Sequence, residues 1–400
     1  MAQQDLHAQL QRLAGSHISR RGFMQGSTLA AFSAFIAACS GGGNGGGGGG
    51  SQAPAGTPAP SFAVPADIEK ELFMYNWADY VDPGSMALFQ QIFGVEKFDY
   101  ATFASNEEML AKFEAGGVGQ YDFGAPTAEY TPGLVESGFI QKIDWSKIPN
   151  QKYIDKQFKG LWWDPKDEYQ LPKDWGTTGI TKRNKFVKEE VKTWRQFLDI
   201  APKYSGKIIV VDSMGDVFVA PLKANGYSLN SVDPKELEVV RTELLKLAPH
   251  VLALNSDTYE VPIQNEEAVL GLTWTGGVVE LRDEEETADV EYIVPEDGTL
   301  YWMDTWVIFN EAPHPNAAHA FLNFIHDPQI QGQETITNRY ATPNDEAKKY
   351  VPQEILDDPA VFVPQEIFDS GLLEGAKDTS TDELRNDIWE EFRSKIGQPA

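Results

Sequence analysis

Beyond residue 66 the chain alternates two hydrophobic rhythms. Leu72-Phe73-Met74-Tyr75 is a short unbroken apolar run, the form of a buried strand. Met86, Phe89 and Phe93 then recur near the 3.6-residue spacing of a helix face. Ser105, with Glu108 three residues on, forms a capping-box pattern ahead of Met109, Leu110 and Phe113. Residues 121–125, 207–211, 251–254, 270–274, 290–294 and 305–309 read as further strands. Helices are predicted from about Met214 and from Pro234, the latter with Asp233 as N-cap and Glu236 three residues past it. Asp327-Pro328 opens another helix in the same way. Strand and helix in alternation predict α/β layers with largely parallel sheets.

Parallel α/β sheets bind ligands outside the carboxyl ends of their strands. The segments expected there pair aromatic rings with carboxylates, hydroxyls or glycine. They are Asn76-Trp77-Ala78-Asp79-Tyr80, Pro126-Thr127-Ala128-Glu129-Tyr130, Asp212-Ser213-Met214-Gly215-Asp216, Trp274-Thr275-Gly276-Gly277 and Tyr301-Trp302-Met303-Asp304. Carboxylates among ring faces suit a flexible organic cation. Charge-assisted hydrogen bonds contribute about 1.5–3 kcal/mol each and a desolvated cation–π contact about 0.5–2 kcal/mol. Each residue also has a plainer reading: Trp77, Trp274 and Trp302 fit a core, and Asp79 and Asp216 fit helix N-caps.

The first 66 residues break the pattern. Ser19-Arg20-Arg21-Gly22-Phe23-Met24, an apolar run over 29–38 and Ile36-Ala37-Ala38-Cys39 have the order of a twin-arginine lipoprotein signal peptide over residues 1–38. Cys39, the only cysteine, stands where lipidation is expected, so the exported chain is tied to a membrane through lipid. Residues 39–66 are Gly-rich, then Pro- and Ala-rich, the composition of a flexible leash. Roughly 330 residues remain, enough for two lobes.

Charge narrows the partners. The chain carries 33 Lys and Arg against 60 Asp and Glu, a net charge of -27. That argues against nucleic acid and anionic head groups and favours cations, although acidity also serves solubility. None of the six histidines forms an HExxH pair, and neither a G-x-S-x-G elbow nor a Walker loop is present. A non-enzymatic protein without metal or cofactor is expected; a glycosidase-like carboxylate pair remains open in so acidic a chain.

Phe73-Met74-Tyr75-Asn76-Trp77-Ala78-Asp79-Tyr80-Val81 resembles the start of the periplasmic spermidine/putrescine-binding proteins. Ser105-Asn106-Glu107-Glu108-Met109, Gly226-Tyr227-Ser228-Leu229-Asn230, Asn255-Ser256-Asp257, Trp302-Met303-Asp304 and Ala341-Thr342-Pro343-Asn344 continue the likeness, which runs from about Glu69 to Ile396. The resemblance implies a two-lobed type II periplasmic-binding-protein fold, each lobe a mainly parallel sheet flanked by helices. It implies a monomer that delivers polyamine to an ABC permease. Lobe 1 would hold 67–173 plus 297–375 and lobe 2 174–296. Crossings near 171–175 and 295–299 would form the hinge, and residues 376–400 would brace the lobes. By position, Trp77, Tyr80, Trp274, Trp302 and Tyr340 match cleft aromatics, Thr127 a hydroxyl contact, and Asp79, Asp216 and Asp304 the acids that hold amines. Glu129 stands where the family commonly has tyrosine, and Thr275-Gly276-Gly277 lacks an acid of some putrescine-selective members. A receptor for another solute such as a sugar is the competing expectation.

Overall fold

The computed structural model describes residues 62–363, 372–373 and 379–398. The twin-arginine segment, Cys39 and the leash lie outside the described residues. Eleven strands join in one continuous hydrogen-bonded system: β1 Glu71–Asn76, β2 Lys97–Thr102, β3 Phe123–Gly124, β4 Ile140–Gln141, β5 Gln170–Arg183, β6 Ile208–Val210, β7 Val251–Leu254, β8 Leu270–Trp274, β9 Val290–Ile293, β10 Leu300–Phe309 and β11 Leu372–Leu373. Their order is β2-β1-β3-β10-β5-β8-β6-β7.

The parallel expectation holds at the two ends of this order. β1 pairs in parallel with β2 and β3, and β6 with β7 and β8. The middle is antiparallel, because β5 and β10 run against each other, β10 against β3 and β5 against β8. β5 is the reason the two ends form one system. Its residues Gln170 to Thr177 pair with β10, and its residues Thr178 to Lys182 pair with β8. The strand changes partner between two adjacent threonines, and all 14 of its residues are buried.

Each end has its own core. β10 alternates sides as a strand must. Val307 and Phe309 pack with Tyr75, Phe103, Met109 and Phe113. Trp306 turns the other way, 5.8 Å from the ring of Phe321, within a cluster that includes Phe89, Phe123 and Phe324. The second core gathers Ile208, Ile209, Val210, Leu270 and Leu272 with Val217, Phe218, Leu237 and Leu244. Ile388, Trp389 and Phe392 of the last helix, Thr379–Lys395, pack into this second core, as do Val351, Ile355 and Val361.

Local capping follows the residues read from sequence. The Ser105 hydroxyl accepts from the Glu108 amide at 3.1 Å, and the Glu108 carboxylate accepts from the Ala104 amide at 2.8 Å. Asp233 and Asp327 cap their helices by accepting from Lys235 N at 2.8 Å and Gln329 N at 2.9 Å. The segment 301–304 is not a loop ahead of a strand but part of β10, whose register shifts between Asp304 and Thr305. Asp304 pairs there with Asp174 and Thr305 with Pro172, so Lys173 is the extra residue on β5.

Candidate functional site

A short loop after β1 carries Trp77, Asp79 and Tyr80. Trp77 Nε1 donates to the Ala125 carbonyl at 2.9 Å, which ties the loop to the end of β3. Tyr100 of β2 clamps it from below: its hydroxyl donates to the Trp77 carbonyl and accepts from the Tyr80 amide at 3.3 Å. Asp79 sits at φ +50°, in the left-handed region that an Asp tolerates better than most residues. The turn directs Tyr80 inward, where it is 5% exposed, and leaves Asp79 in solvent.

From there a chain of contacts runs across both ends of the sheet system. Trp77 meets Trp274, at the end of β8, edge to face at 5.8 Å. Trp274 meets Tyr259 at 5.8 Å, and the Tyr259 hydroxyl lies 3.5 Å from that of Tyr340. Tyr340 stands edge-on to Tyr80 at 5.7 Å and to Trp302 at 4.9 Å. Two glycines make this approach possible. A Cβ on Gly176 would lie 2.4 Å from the Trp302 ring, and one on Gly276 would lie 2.5 Å from the Tyr340 ring. Thus the glycine of Thr275-Gly276-Gly277 makes room for an aromatic wall.

The polar residues gather at the inner end. Tyr80 Oη lies 2.7 Å from Asp304 Oδ2 and is also hydrogen-bonded to Asp174 Oδ1. Thr127 forms a bridge with Asp304, and Asn106 Nδ2 donates to its hydroxyl at 2.9 Å. Lys173 Nζ lies 2.5 Å from Asp174 Oδ2 and 3.3 Å from the centre of the Tyr80 ring. Tyr80, Lys173, Asp174 and Asp304 are all buried. Asp216 is buried separately, in the first turn of the helix Met214–Ala224, and accepts from the Thr178 hydroxyl on β5. Glu129 is half-buried on the turn Ala128–Tyr130, just past Thr127.

The sequence matches the family described as bacterial extracellular solute-binding protein over residues 90–363. The chain belongs to that family. The spermidine/putrescine-binding periplasmic protein of Escherichia coli K12 is 33% identical over 335 residues, covering 84% of this chain and 93% of that protein. The E. coli putrescine-binding periplasmic protein PotF is 26% identical and covers 82% of this chain and 92% of its own length. Among solved structures, a putative spermidine/putrescine ABC transporter from Listeria monocytogenes aligns with TM-score 0.75 and 30% identity, over 81% of this chain and 99% of that one. The two-lobed architecture of these periplasmic binding proteins is the fold seen here, with β5 passing from one sheet end to the other.

Burial dominates the electrostatics of this solute-binding protein's inner end. Loss of solvent, then the charge of Asp174, pushes the Asp304 carboxyl up to about 7 against the opposing Tyr80 hydrogen bond and Lys173. Burial likewise raises Asp174, opposed by the Lys173 charge and by hydrogen bonds from Lys173 and Tyr80. It raises Tyr80 well above the ordinary phenol value, helped by both carboxylates. Glu334, on the helix Pro328–Asn338, is pushed up to about 7 by burial and then by Asp82. Among the described residues no group of three or more His, Cys, Asp and Glu is placed to hold a metal ion.

Sequence reading did not single out Lys173, Asp174, Tyr259 or Glu334. Lys173 and Asp174 had a signal. Two adjacent charges inside Leu171-Pro172-Lys173-Asp174-Trp175-Gly176 are costly in a buried strand unless they neutralise each other or face a polar ligand.

Proposed function

We propose that this solute-binding protein is an extracytoplasmic polyamine receptor that delivers spermidine or putrescine to an ABC importer. The observation that carries the reading is the inner cluster. Asp304 and Asp174 lie against Tyr80, and the chain's own alkylammonium, Lys173, already rests on that ring and on Asp174. A cluster of ring and carboxylates that stabilises one alkylammonium this way suits the terminal amine of another. Trp302, Tyr340, Trp77 and Trp274 continue as ring walls along which methylenes pack, at about 0.8 kcal/mol each. Spermidine and putrescine are the ligands for which the E. coli and Listeria relatives are named.

The ligand-contacting set proposed is Trp77, Asp79, Tyr80, Thr127, Glu129, Asp216, Trp274, Trp302, Asp304 and Tyr340. Asp304 anchors one amine and Asp216, from the other side of β5, another. Closure of one lobe on the other about β5 and β10 follows if the ligand touches both, since only differential contact shifts such an equilibrium. The lobes are proposed at 67–173 plus 297–375 and 174–296, although Asp174 to Thr177 still pairs with β10 and Val351 to Val361 packs with the second core. The receptor acts as a monomer without catalysis, held to the membrane by lipid on Cys39. Among the described residues no helix is long and apolar enough to cross a membrane.

A thermal-shift screen of putrescine, spermidine, spermine, simple sugars and amino acids tests the reading. Stabilisation by di- or triamines alone supports it. Stabilisation by a sugar with silence from every amine replaces it with the sugar-receptor alternative.

A further inference from the structure

The buried cluster contains a mismatch between hydrogens and acceptors. Tyr80 Oη is hydrogen-bonded to two carboxylates, Asp174 and Asp304, yet a phenol carries one hydrogen. It can donate to one of them and only accept from the other. An ionised carboxylate has nothing to donate, so the second contact is a hydrogen bond only when that carboxyl is protonated.

Charge points the same way. Lys173, 2.5 Å from Asp174 Oδ2, neutralises one carboxylate. It is the cation that faces the cluster from β5. The other titratable groups packed around it add none: Glu334 and Asp82 are acids, Tyr340 is a phenol, and buried His326 is held neutral by a pKa pushed down to about 3. With Asp174 and Asp304 both ionised, the cluster would hold an uncompensated negative charge out of water. With one extra proton Lys173, Asp174 and Asp304 sum to zero, while neighbouring Glu334, itself pushed up to about 7 by burial, supplies no cation. Asp174 keeps its charge beside Lys173, so the chain of donors runs from Asp304 to Tyr80 to Asp174.

We propose that Lys173 and Asp174 are positioning residues that make the ligand-free site hold a proton on Asp304, and that an ammonium ligand enters by displacing that proton to solvent. The proposal rests on the cationic-ligand reading above. The balance is one proton out for one ammonium seated: the incoming cation supplies the charge that the proton had supplied, and Tyr80 is then free to donate to either carboxylate. The carboxyl of Asp304, pushed up to about 7, agrees with this. Lys173 and Asp174 need not touch the ligand. Their effect is to set the protonation state in which Asp304 waits.

The test combines two readouts on the full chain. The first is ligand-free: the infrared carboxylic-acid band at pH 6, compared with that of Asp304→Asn. A component lost in the variant is expected, and no difference overturns the proposal. The second is calorimetric titration with putrescine at pH 6 in buffers of different ionisation heat. Release of close to one proton is expected. Apparent affinity should rise about tenfold per pH unit up to about pH 7 and then level off. Asp174→Asn leaves Lys173 as counter-charge for Asp304 and should abolish both release and pH slope. Lys173→Met should move the slope to higher pH. Tight binding with no proton release, or an Asp174→Asn profile like the parent's, overturns the inference while leaving the ligand class intact. Failure of every amine to bind overturns the ligand reading and with it the exchange, whatever the infrared band shows.

Discussion

Two groups of carboxylates lie along the proposed binding site under opposite conditions. At the inner end, Asp304, Asp174 and Glu334 are 5%, 5% and 4% exposed, held among rings and hydroxyls. At the outer end, Asp79, Glu107, Glu108 and Asp257 are exposed. There Asp257 is raised by partial burial and then by the charges of Glu108 and Asp79. Asp212 is raised by burial and by Glu107, against the pull of Arg393. Glu108 and Asp79 belong to the β1–β3 end of the fold, Asp257 and Asp212 to the β6–β7 end, so the outer acids face like charges across the cleft. The residue type is the same throughout. What differs is the cost of removing the charge from water, large inside and small outside. If the proposed site holds a cation, inner acids should therefore decide affinity and protonation, whereas outer acids should shape the field an approaching cation meets.

Removing one acid from each group gives the sharpest break. Asp304→Asn should weaken putrescine or spermidine binding by about 2–5 kcal/mol, because an amine is left buried without its carboxylate. Asp79→Asn should change it by less than about 1 kcal/mol. Calorimetric affinities measure both. Equal losses would erase the distinction, and an unchanged Asp304→Asn would remove Asp304 from the site.

The inner end should also govern stability against pH. The folded value for Asp304 is about 7, above the ordinary value of 3.8. Between those values the folded protein holds a proton that the open chain has lost, so stability falls as pH rises through this window and levels beyond it. Three units correspond to about 4 kcal/mol as an upper bound. Glu334 adds in the same direction over its own window, up to about 7. Denaturant melts of the ligand-free protein from pH 4 to pH 8 should show the decline, and Asp304→Asn should flatten part of it. The same variant is then weaker in binding yet more stable at pH 8. A variant that declines as steeply as the parent would contradict the burial argument.

The residues at strand ends were more legible in the sequence than those inside strands, for a physical reason. Trp77, Asp79 and Tyr80 follow directly after an apolar run, and Trp274 ends another, so periodicity and strand ends locate them. Lys173 and Asp174 lie in the middle of a 14-residue strand, and the Tyr80 partners are 94 and 224 positions away from it in the chain. No local pattern reports a pairing made only when β5 and β10 meet. Asp304 was found as a residue but placed just ahead of the strand, because a charged residue bordering an apolar run reads as its edge and its cross-strand partner Asp174 is far away in the chain. β2 escaped notice as an edge strand, Lys97-Phe98-Asp99-Tyr100-Ala101-Thr102, with little buried on either face. Its Tyr100 nevertheless holds the Trp77 to Tyr80 loop in place.

Between the two ends stands the Trp77–Trp274 contact, which joins both parts of the fold at 5.8 Å. Trp274 is half-buried, so its truncation should cost ligand affinity more than folding. Trp274→Ala is expected to lose about 1–3 kcal/mol of binding, from ring contact and methylene packing, with an unchanged circular dichroism spectrum. Global unfolding would return Trp274 to the core reading. Trp302 is only 8% exposed and packs on Gly176, so Trp302→Ala should lower stability as well as binding.

The smallest effect should come from the rim and should appear in rate rather than affinity. Asp257 lies near Asp79 and Glu108, so Asp257→Asn removes both an attraction for the ligand and a repulsion between the two sides of the cleft. The two changes oppose each other in the equilibrium constant, which should move by less than about 1 kcal/mol. They do not oppose each other in the encounter, because steering depends on the summed field before contact. Stopped-flow association of spermidine should therefore slow severalfold at low salt in Asp257→Asn. The difference should vanish near 0.5 M salt, where the screening length falls to about 4 Å. If the variant slows association equally at both ionic strengths, Asp257 is a contact residue like those inside, and the division of labour between the two acid groups fails at its outer edge.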